Sequence, residues 1–170
     1  HAALGAVMLL GTFSSMWGIT QSRVSDPREM WTVLPTSNNV KMMTQNLRDI
    51  SNRNLGYTYD IEIVVLNDSA WNDRESVLGW ELRRFTNVKF VDSLSPQMNS
   101  AIVIADGAIS EPVLGSTYAG QSFPFFGKAE TQDIFVLEEA IDWCLYRSGK
   151  VQYTRKVLWV REDVQLLKKK

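Results

Sequence analysis

The pattern of hydrophobic and polar residues predicts a chain of alternating strands and helices after an uncharged opening segment. Val40, Met43 and Leu47 recur at helical spacing and predict a helix with one buried face, ending at about residue 50. Residues 106–128 are rich in Gly and aromatic residues and predict either an edge strand or an adaptable loop. Other apolar runs predict strands at residues 30–34, 61–66, 88–91, 101–105 and 157–160, and helices at residues 73–85 and 134–145. This alternation is typical of an α/β domain with a mostly parallel sheet flanked by helices.

The opening segment, residues 1–22, contains no Lys, Arg, Asp or Glu. As an α-helix, residues 2–20 would span about 29 Å, which is close to the thickness of a membrane's hydrocarbon layer. Gly11 and Ser15 are small residues four positions apart, a spacing that lets membrane helices pack closely. We therefore predict a transmembrane helix over residues 1–22 and an extracytoplasmic α/β domain over residues 23–170. The alternative is a buried helix of a soluble protein.

Composition and net charge argue against several classes of partner and of catalytic or metal site. A length of 170 residues suits one globular domain, and a net charge of -1 argues against a nucleic-acid partner, which requires an excess of Lys and Arg. With Cys144 as its only cysteine and His1 as its only histidine, the chain offers no zinc site, disulfide framework or Ser-His pair. It contains no P-loop and no GxGxxG, so we expect no cofactor and no catalytic residue. Because it begins with His1 rather than Met, we expect it to be part of a longer protein.

A candidate ligand site follows the predicted strand at residues 61–66. Open α/β sheets bind ligands beyond the carboxyl ends of their strands, which is where Asp68 is expected. Acids, guanidinium groups and flat apolar rings lie nearby in the sequence, and sites for sugars or phosphates combine such groups. The candidate ligand-binding residues are Asp68, Trp71, Asp73, Trp80, Arg83 and Arg84. The alternative is structural: Asp68 forms a turn, Asp73 caps a helix, Trp80 packs in the core and the arginines are solvated.

Several segments resemble a family of membrane proteins. Residues 26–51 (DPREMWTVLPTSNNVKMMTQNLRDIS) resemble the segment after the last membrane helix of prokaryotic polytopic proteins related to the GT-C glycosyltransferases. These include the flippase-associated and dolichyl-phosphate-mannose mannosyltransferase-like proteins. The positions that match further along are Asp68, Ser69, Trp71, Trp80, Leu82, Arg83, Asn87, Val88, Phe90, Trp143, Tyr146, Arg147, Trp159, Val160, Arg161 and Asp163. Asn72 and Arg84 depart from the family's pattern, which has Pro and an acidic residue there.

The resemblance implies the C-terminal part of a glycosyltransferase that uses a polyprenyl-phosphate-linked sugar. The catalytic acid and the donor site of such enzymes lie between membrane helices upstream of His1, so we expect no turnover from this chain alone. The expected partners are membrane lipid, the upstream transmembrane helices of the same protein, and a glycan or polyprenyl-phosphate sugar. Two other functions remain open: a membrane-anchored binding or scaffolding module without transferase activity, and a soluble flavodoxin-like domain.

Overall fold

The computed structural model describes residues 2–22, 26–28, 36–67, 76–108, 113–130, 136, 138, 142 and 149–166. Backbone contacts divide the chain into two compact units, each made of two separate segments. The first unit comprises residues 1–37 and 126–153, and the second comprises residues 38–125 and 154–170.

The first unit begins with helix α1, Ala2–Trp17, which continues into a π-helical turn, Gly18–Ser22. Residues 3–14 are all exposed, so the apolar side chains of α1 face outward around its whole circumference. The large exposed side chains are Leu4, Val7, Met8, Leu9, Leu10, Phe13, Met16 and Trp17. Within the described part of the chain, none of the helices combines the length and apolar character that a membrane crossing requires. The transmembrane helix expected over residues 1–22 therefore stays a prediction.

The second unit begins with helix α2, Asn39–Leu55, which confirms the helix predicted from hydrophobic spacing and extends it by about one turn. The residues that α2 buries are Val40, Met43, Thr44, Leu47, Ile50 and Ser51. The helix ends because Gly56 adopts a left-handed conformation, with φ of 75°, and its N–H donates to the Asn52 carbonyl at 3.0 Å. Helix α2 therefore has one face packed in the core and one face in water, as amphipathic spacing predicts.

A five-stranded mixed sheet forms the centre of the fold. Its elements in chain order after α2 are β1 (Ile63–Leu66), α3 (Val77–Leu82), β2 (Val88–Val91), β3 (Ile102–Asp106), β4 (Tyr118–Ala129), β5 (Val151–Arg161) and the short helix α4 (Glu162–Leu166). The strand order is β2-β1-β3-β5-β4. Strand β1 is parallel to both β2 and β3, whereas β5 is antiparallel to β3. The α/β class is confirmed, but the sheet is mixed rather than mostly parallel, because β5 is the antiparallel neighbour of β3.

The uncertain region at residues 106–128 contains β4, which lies at one end of the strand order. An edge position suits Pro124, because proline cannot donate a backbone hydrogen bond to a neighbouring strand. Strand β5 is longer than the four residues predicted for it. The strand predicted at residues 30–34 lies outside the described residues, and so does most of the helix predicted at residues 134–145.

Candidate ligand-binding site

Helix α3 presents Trp80 to solvent. The Ser76 hydroxyl caps the start of the helix by accepting a hydrogen bond from the Gly79 N–H at 3.4 Å. Leu78 and Leu82 lie one turn apart and are buried, whereas Trp80 lies between them on the opposite side and is 63% exposed. The alternative in which Trp80 packs in the core is therefore wrong, and its ring is accessible to a ligand.

Arg83 holds one face of the Trp80 ring. Its guanidinium carbon lies 3.8 Å from the ring centroid, within the range of a cation–π contact. The same guanidinium donates through Nη1 to the Trp80 carbonyl at 2.7 Å. One arginine therefore contacts both a face of the ring and the backbone of the last turn of α3, and most of the Trp80 surface remains exposed.

Trp80 and Arg83 line a cleft between α3 and strand β2, here called the α3 cleft, with a volume of about 700 Å³. Its lining residues are Ser76, Gly79, Trp80, Leu82, Arg83, Phe85, Thr86, Val88 and Phe90. The lining combines an apolar strand wall, an indole ring, one guanidinium and two hydroxyls. Such a mixture suits the apolar face of a sugar ring, with a few polar groups to orient it.

Arg84, the next residue, does not line this cleft and faces a different neighbour. Its Nη1 donates to the Tyr59 hydroxyl at 3.4 Å. This hydrogen bond lowers the pKa of the Tyr59 phenol below its usual value, and Arg48 adds a smaller effect in the same direction. The Tyr59 ring contacts Phe85 edge-on, with the ring centroids 5.3 Å apart. Arg84 therefore belongs to a separate surface beside the end of α2.

Of the six predicted ligand-binding residues, the structure brings Trp80 and Arg83 together and separates Arg84 from them. Asp68, Trp71 and Asp73 lie outside the described residues. Among the residues that the structure does describe, no three His, Cys, Asp or Glu side chains come together in a group that could hold a metal ion.

Apart from the α3 cleft, a group of polar residues lies on the sheet face that carries Phe90. The register pairs Val65 of β1 with Phe90 of β2 and with Ile104 of β3, so these three side chains share one face. Two residues further along the chain, just past the ends of β1 and β2 and at the last residue of β3, all three positions are polar. Together with the β5 residue paired to β3, these positions form a row across four neighbouring strands, here called the polar row: Asp92, Asn67, Asp106 and Lys156.

The polar row consists of two hydrogen-bonded pairs, Asn67 with Asp92 and Lys156 with Asp106, and the second pair is the more buried. Asn67 donates from its side-chain amide to the Asp92 carboxylate at 3.2 Å, and both residues are exposed. Lys156 donates to the half-buried Asp106 carboxylate at 3.1 Å. The Lys156 residue itself is 0% exposed. The row is therefore exposed to solvent at Asn67 and Asp92 and buried at Lys156.

Sequence patterns alone did not identify the polar row. Asn67 and Asp92 directly follow their strands, a position that could have marked them, but Lys156 lies within an unbroken strand among other polar residues. Only the strand register places these side chains side by side.

The chain was also compared with protein-family models, with curated proteins and with solved structures, and none of them matches it.

Proposed function

We propose that this chain is the C-terminal part of a membrane-embedded, GT-C-like glycosyltransferase. In this proposal α1 is the last membrane helix, and the α/β domain lies on the extracytoplasmic side, where it binds or supports a glycan or a polyprenyl-phosphate-linked sugar. The domain itself is non-catalytic. The observation that carries the proposal is the outward-facing apolar surface of α1.

The exposed side chains of α1 need an apolar environment. Eight large apolar residues of α1 are exposed, from Leu4 at 69% to Trp17 at 58%. Burying such a side chain is worth about 1.5–3 kcal/mol, so transfer of this helix from water to lipid or to sister helices gains on the order of 10 kcal/mol. A helix that is apolar all round is the kind that a membrane or a larger helix bundle surrounds.

The polar groups of the same helix also suit a membrane. The Thr12 hydroxyl donates to the backbone carbonyls of Met8 and Leu9, both at 3.0 Å. The Thr20 hydroxyl donates to the Met16 carbonyl at 2.8 Å. Because both hydroxyls are bonded within the helical segment, they can enter hydrocarbon without losing a partner.

Membrane attachment is tested by fractionating cells that express residues 1–170 and washing the membranes at alkaline pH. We expect the chain in the washed membranes and expect Leu10→Lys to release it, since a lysine at a helix centre costs about 2.5–3.5 kcal/mol on insertion. Leu55→Lys is the matched control, because Leu55 is an exposed leucine of α2. Recovery of the unaltered chain in the soluble fraction without detergent would contradict the proposal.

Glycan binding is supported by the α3 cleft, where an exposed indole ring lies above an apolar strand wall. Sugar rings present apolar C–H faces that pack on such rings, and a fixed ring loses little freedom when it binds. A glycan array probed with the full chain tests this. We expect Trp80→Ala to abolish the signal and Tyr153→Ala, which removes another exposed aromatic ring, to preserve it.

The second candidate function is a binding or scaffolding module of flavodoxin-like type without transferase activity. Its support is the order β2-β1-β3 of three parallel strands, with which flavodoxin-like sheets also begin. The coding sequence upstream of His1 discriminates the two functions. Further hydrophobic spans with an acidic first extracytoplasmic loop favour the transferase, and an initiator Met immediately before His1 favours the module.

A further inference from the structure

We propose that the polar row binds the hydroxyl groups of an uncharged sugar and that it continues the α3 cleft into one extended site. This inference rests on the proposed glycan binding and adds which groups of the glycan are recognised. The four row residues are Asp92, Asn67, Asp106 and Lys156.

The position of the row in the sheet is one where ligands bind. Strand β1 lies between β2 and β3, so the chain leaves β1 toward one side and later reaches β3 on the other. All three strands are parallel, and the row lies at their carboxyl ends. In open α/β sheets, ligands bind at the carboxyl ends of the strands beside such a reversal of strand order.

The charges of the row favour an uncharged ligand with hydroxyl groups. Two carboxylates and one ammonium give the row itself a formal charge of -1, which disfavours a phosphate there, whereas the positive charge of Arg83 lies in the α3 cleft. The ammonium of Lys156 neutralises the Asp106 carboxylate at a distance of 3.1 Å. Asp106 accepts from Lys156 and from the Ala108 N–H at 3.3 Å. The groups of the row that face solvent are the Asp92 carboxylate, which accepts, and the Asn67 amide, which both donates and accepts, and these complement neighbouring hydroxyls.

The row and the α3 cleft share one strand face. Val88 and Phe90 form the strand wall of the cleft, and Asp92 directly follows β2, two residues after Phe90. Ser76, at the start of α3, also lines the cleft. A sugar chain could therefore place one ring on Trp80 and present its hydroxyls to the row.

Lys156 acts in this arrangement as a positioning residue. An ion pair that includes a fully buried ammonium contributes little net stability compared with apolar residues of similar size, so stability alone does not explain its presence. Its hydrogen bond fixes the Asp106 carboxylate at the closed end of the row. A fixed carboxylate binds a hydroxyl without first losing rotational freedom.

The test uses the ¹⁵N-labelled full chain in a polyoxyethylene detergent, which contains neither sugar nor phosphate. Mannose, glucose and N-acetylglucosamine are titrated in turn, followed by inorganic phosphate, while the amide signals are recorded by NMR. We expect at least one sugar to shift the Asn67 side-chain amide and phosphate to leave it unchanged. Asp92→Ala should weaken sugar binding about tenfold, the effect of losing one hydrogen bond to a charged group.

Glu62→Gln is the matched control, because Glu62 is a half-buried acid beside β1 that pairs with Lys89 at 2.7 Å, on the opposite face of the sheet. It should bind sugar as the unaltered chain does.

If Trp80→Ala abolishes binding while Asp92→Ala and Asn67→Ala do not weaken it, the row is not part of the site and the inference fails, although glycan binding stands. If phosphate shifts the row in place of sugar, the inference fails as well. If no sugar binds the unaltered chain, both the inference and the proposed glycan binding fail.

Discussion

Helices α1 and α2 are nearly equal in length, at 16 and 17 residues, but opposite in their surroundings. Helix α2 buries six side chains in the core of its unit, whereas residues 3–14 of α1 are all exposed. Their sequences differ accordingly: α2 alternates apolar and polar residues at helical spacing, and α1 contains no charged residue. Helix α2 is therefore stabilised by packing within its own unit, whereas the apolar side chains of α1 are left exposed.

The largest expected difference between the two helices is the cost of removing a leucine. Leu47 of α2 is 0% exposed and Leu10 of α1 is 70% exposed. Leu47→Ala should lower the free energy of unfolding by about 2–5 kcal/mol, because it opens a cavity in the core. Leu10→Ala should change it by less than about 0.5 kcal/mol. Urea denaturation followed by circular dichroism measures both free energies of unfolding. Equal effects would contradict the assignment of Leu47 to the core and of Leu10 to the surface.

The next largest expected difference is in the stability cost of removing a serine hydroxyl from each helix. The buried Ser51 hydroxyl donates to the Tyr57 carbonyl at 2.6 Å and accepts from the N–H groups of Asp60 and Ile61, both at 3.2 Å. Ser51→Ala should cost about 1–3 kcal/mol of unfolding free energy, because these backbone groups lose their partner. Ser14→Ala, at an exposed position of α1, is the control and should cost nothing measurable in the same denaturation experiment.

Two glycines are expected to respond to alanine in opposite directions. Gly56 has a φ of 75° at the end of α2, so Gly56→Ala should lower the unfolding free energy by about 1–2 kcal/mol. Gly11 lies inside α1 with nothing within 4 Å of an added Cβ, so Gly11→Ala should favour the helix by about 1 kcal/mol. Thermal melts report the first effect, and the helical signal of a peptide covering residues 1–22 in detergent reports the second. The same sign for both would contradict these assignments.

The smallest expected effect is a change in the pKa of Tyr59, which lies in the turn after α2. Helix α1 offers no counterpart, because it has no titratable side chain. The hydrogen bond from Arg84 is the largest cause of the lowered pKa of Tyr59, so Arg84→Gln should raise that pKa toward its usual value. The folded state releases this proton more readily than the unfolded chain. The resulting stability is present above the unfolded pKa of about 10 and is lost as the pH falls through the lower folded pKa. Ultraviolet titration of the phenol measures the shift, with Tyr59→Phe as the reference that lacks the signal.

Much of the fold was predictable because its signals are local. The spacing of Val40, Met43 and Leu47 identified α2, and the β-branched run that contains β1 identified a buried strand. Strand β4 was only partly predictable, because its glycines and Pro124 are equally typical of a loop. The direction of β5 was not predictable, since strand direction depends on which neighbours pair and not on the residues within the strand.

In the candidate site, too, the contacts between residues close in sequence were predictable and those between distant residues were not. Trp80 and Arg83, three residues apart on one helix, were identified together and do lie together. Arg84 follows directly in the sequence, but its side chain reaches Tyr59, 25 residues away in the chain. Asn67 and Lys156 belong to one row because β1, β3 and β5 are neighbours in the sheet, and no local sequence pattern carries that information.

The strand order also bears on how the chain folds as it is made. Among the strands in the described part of the chain, β5 is synthesised after the other four, yet it lies between β3 and β4 in the sheet. Until it is synthesised, β3 has an open edge and β4 lacks the strand beside it. The pairing of β3 with β5 thus waits until residues 151–161 have been synthesised, and pairing over such sequence distances is slow. Open strand edges invite aggregation during that interval, so the chain should depend on chaperones while it is being translated.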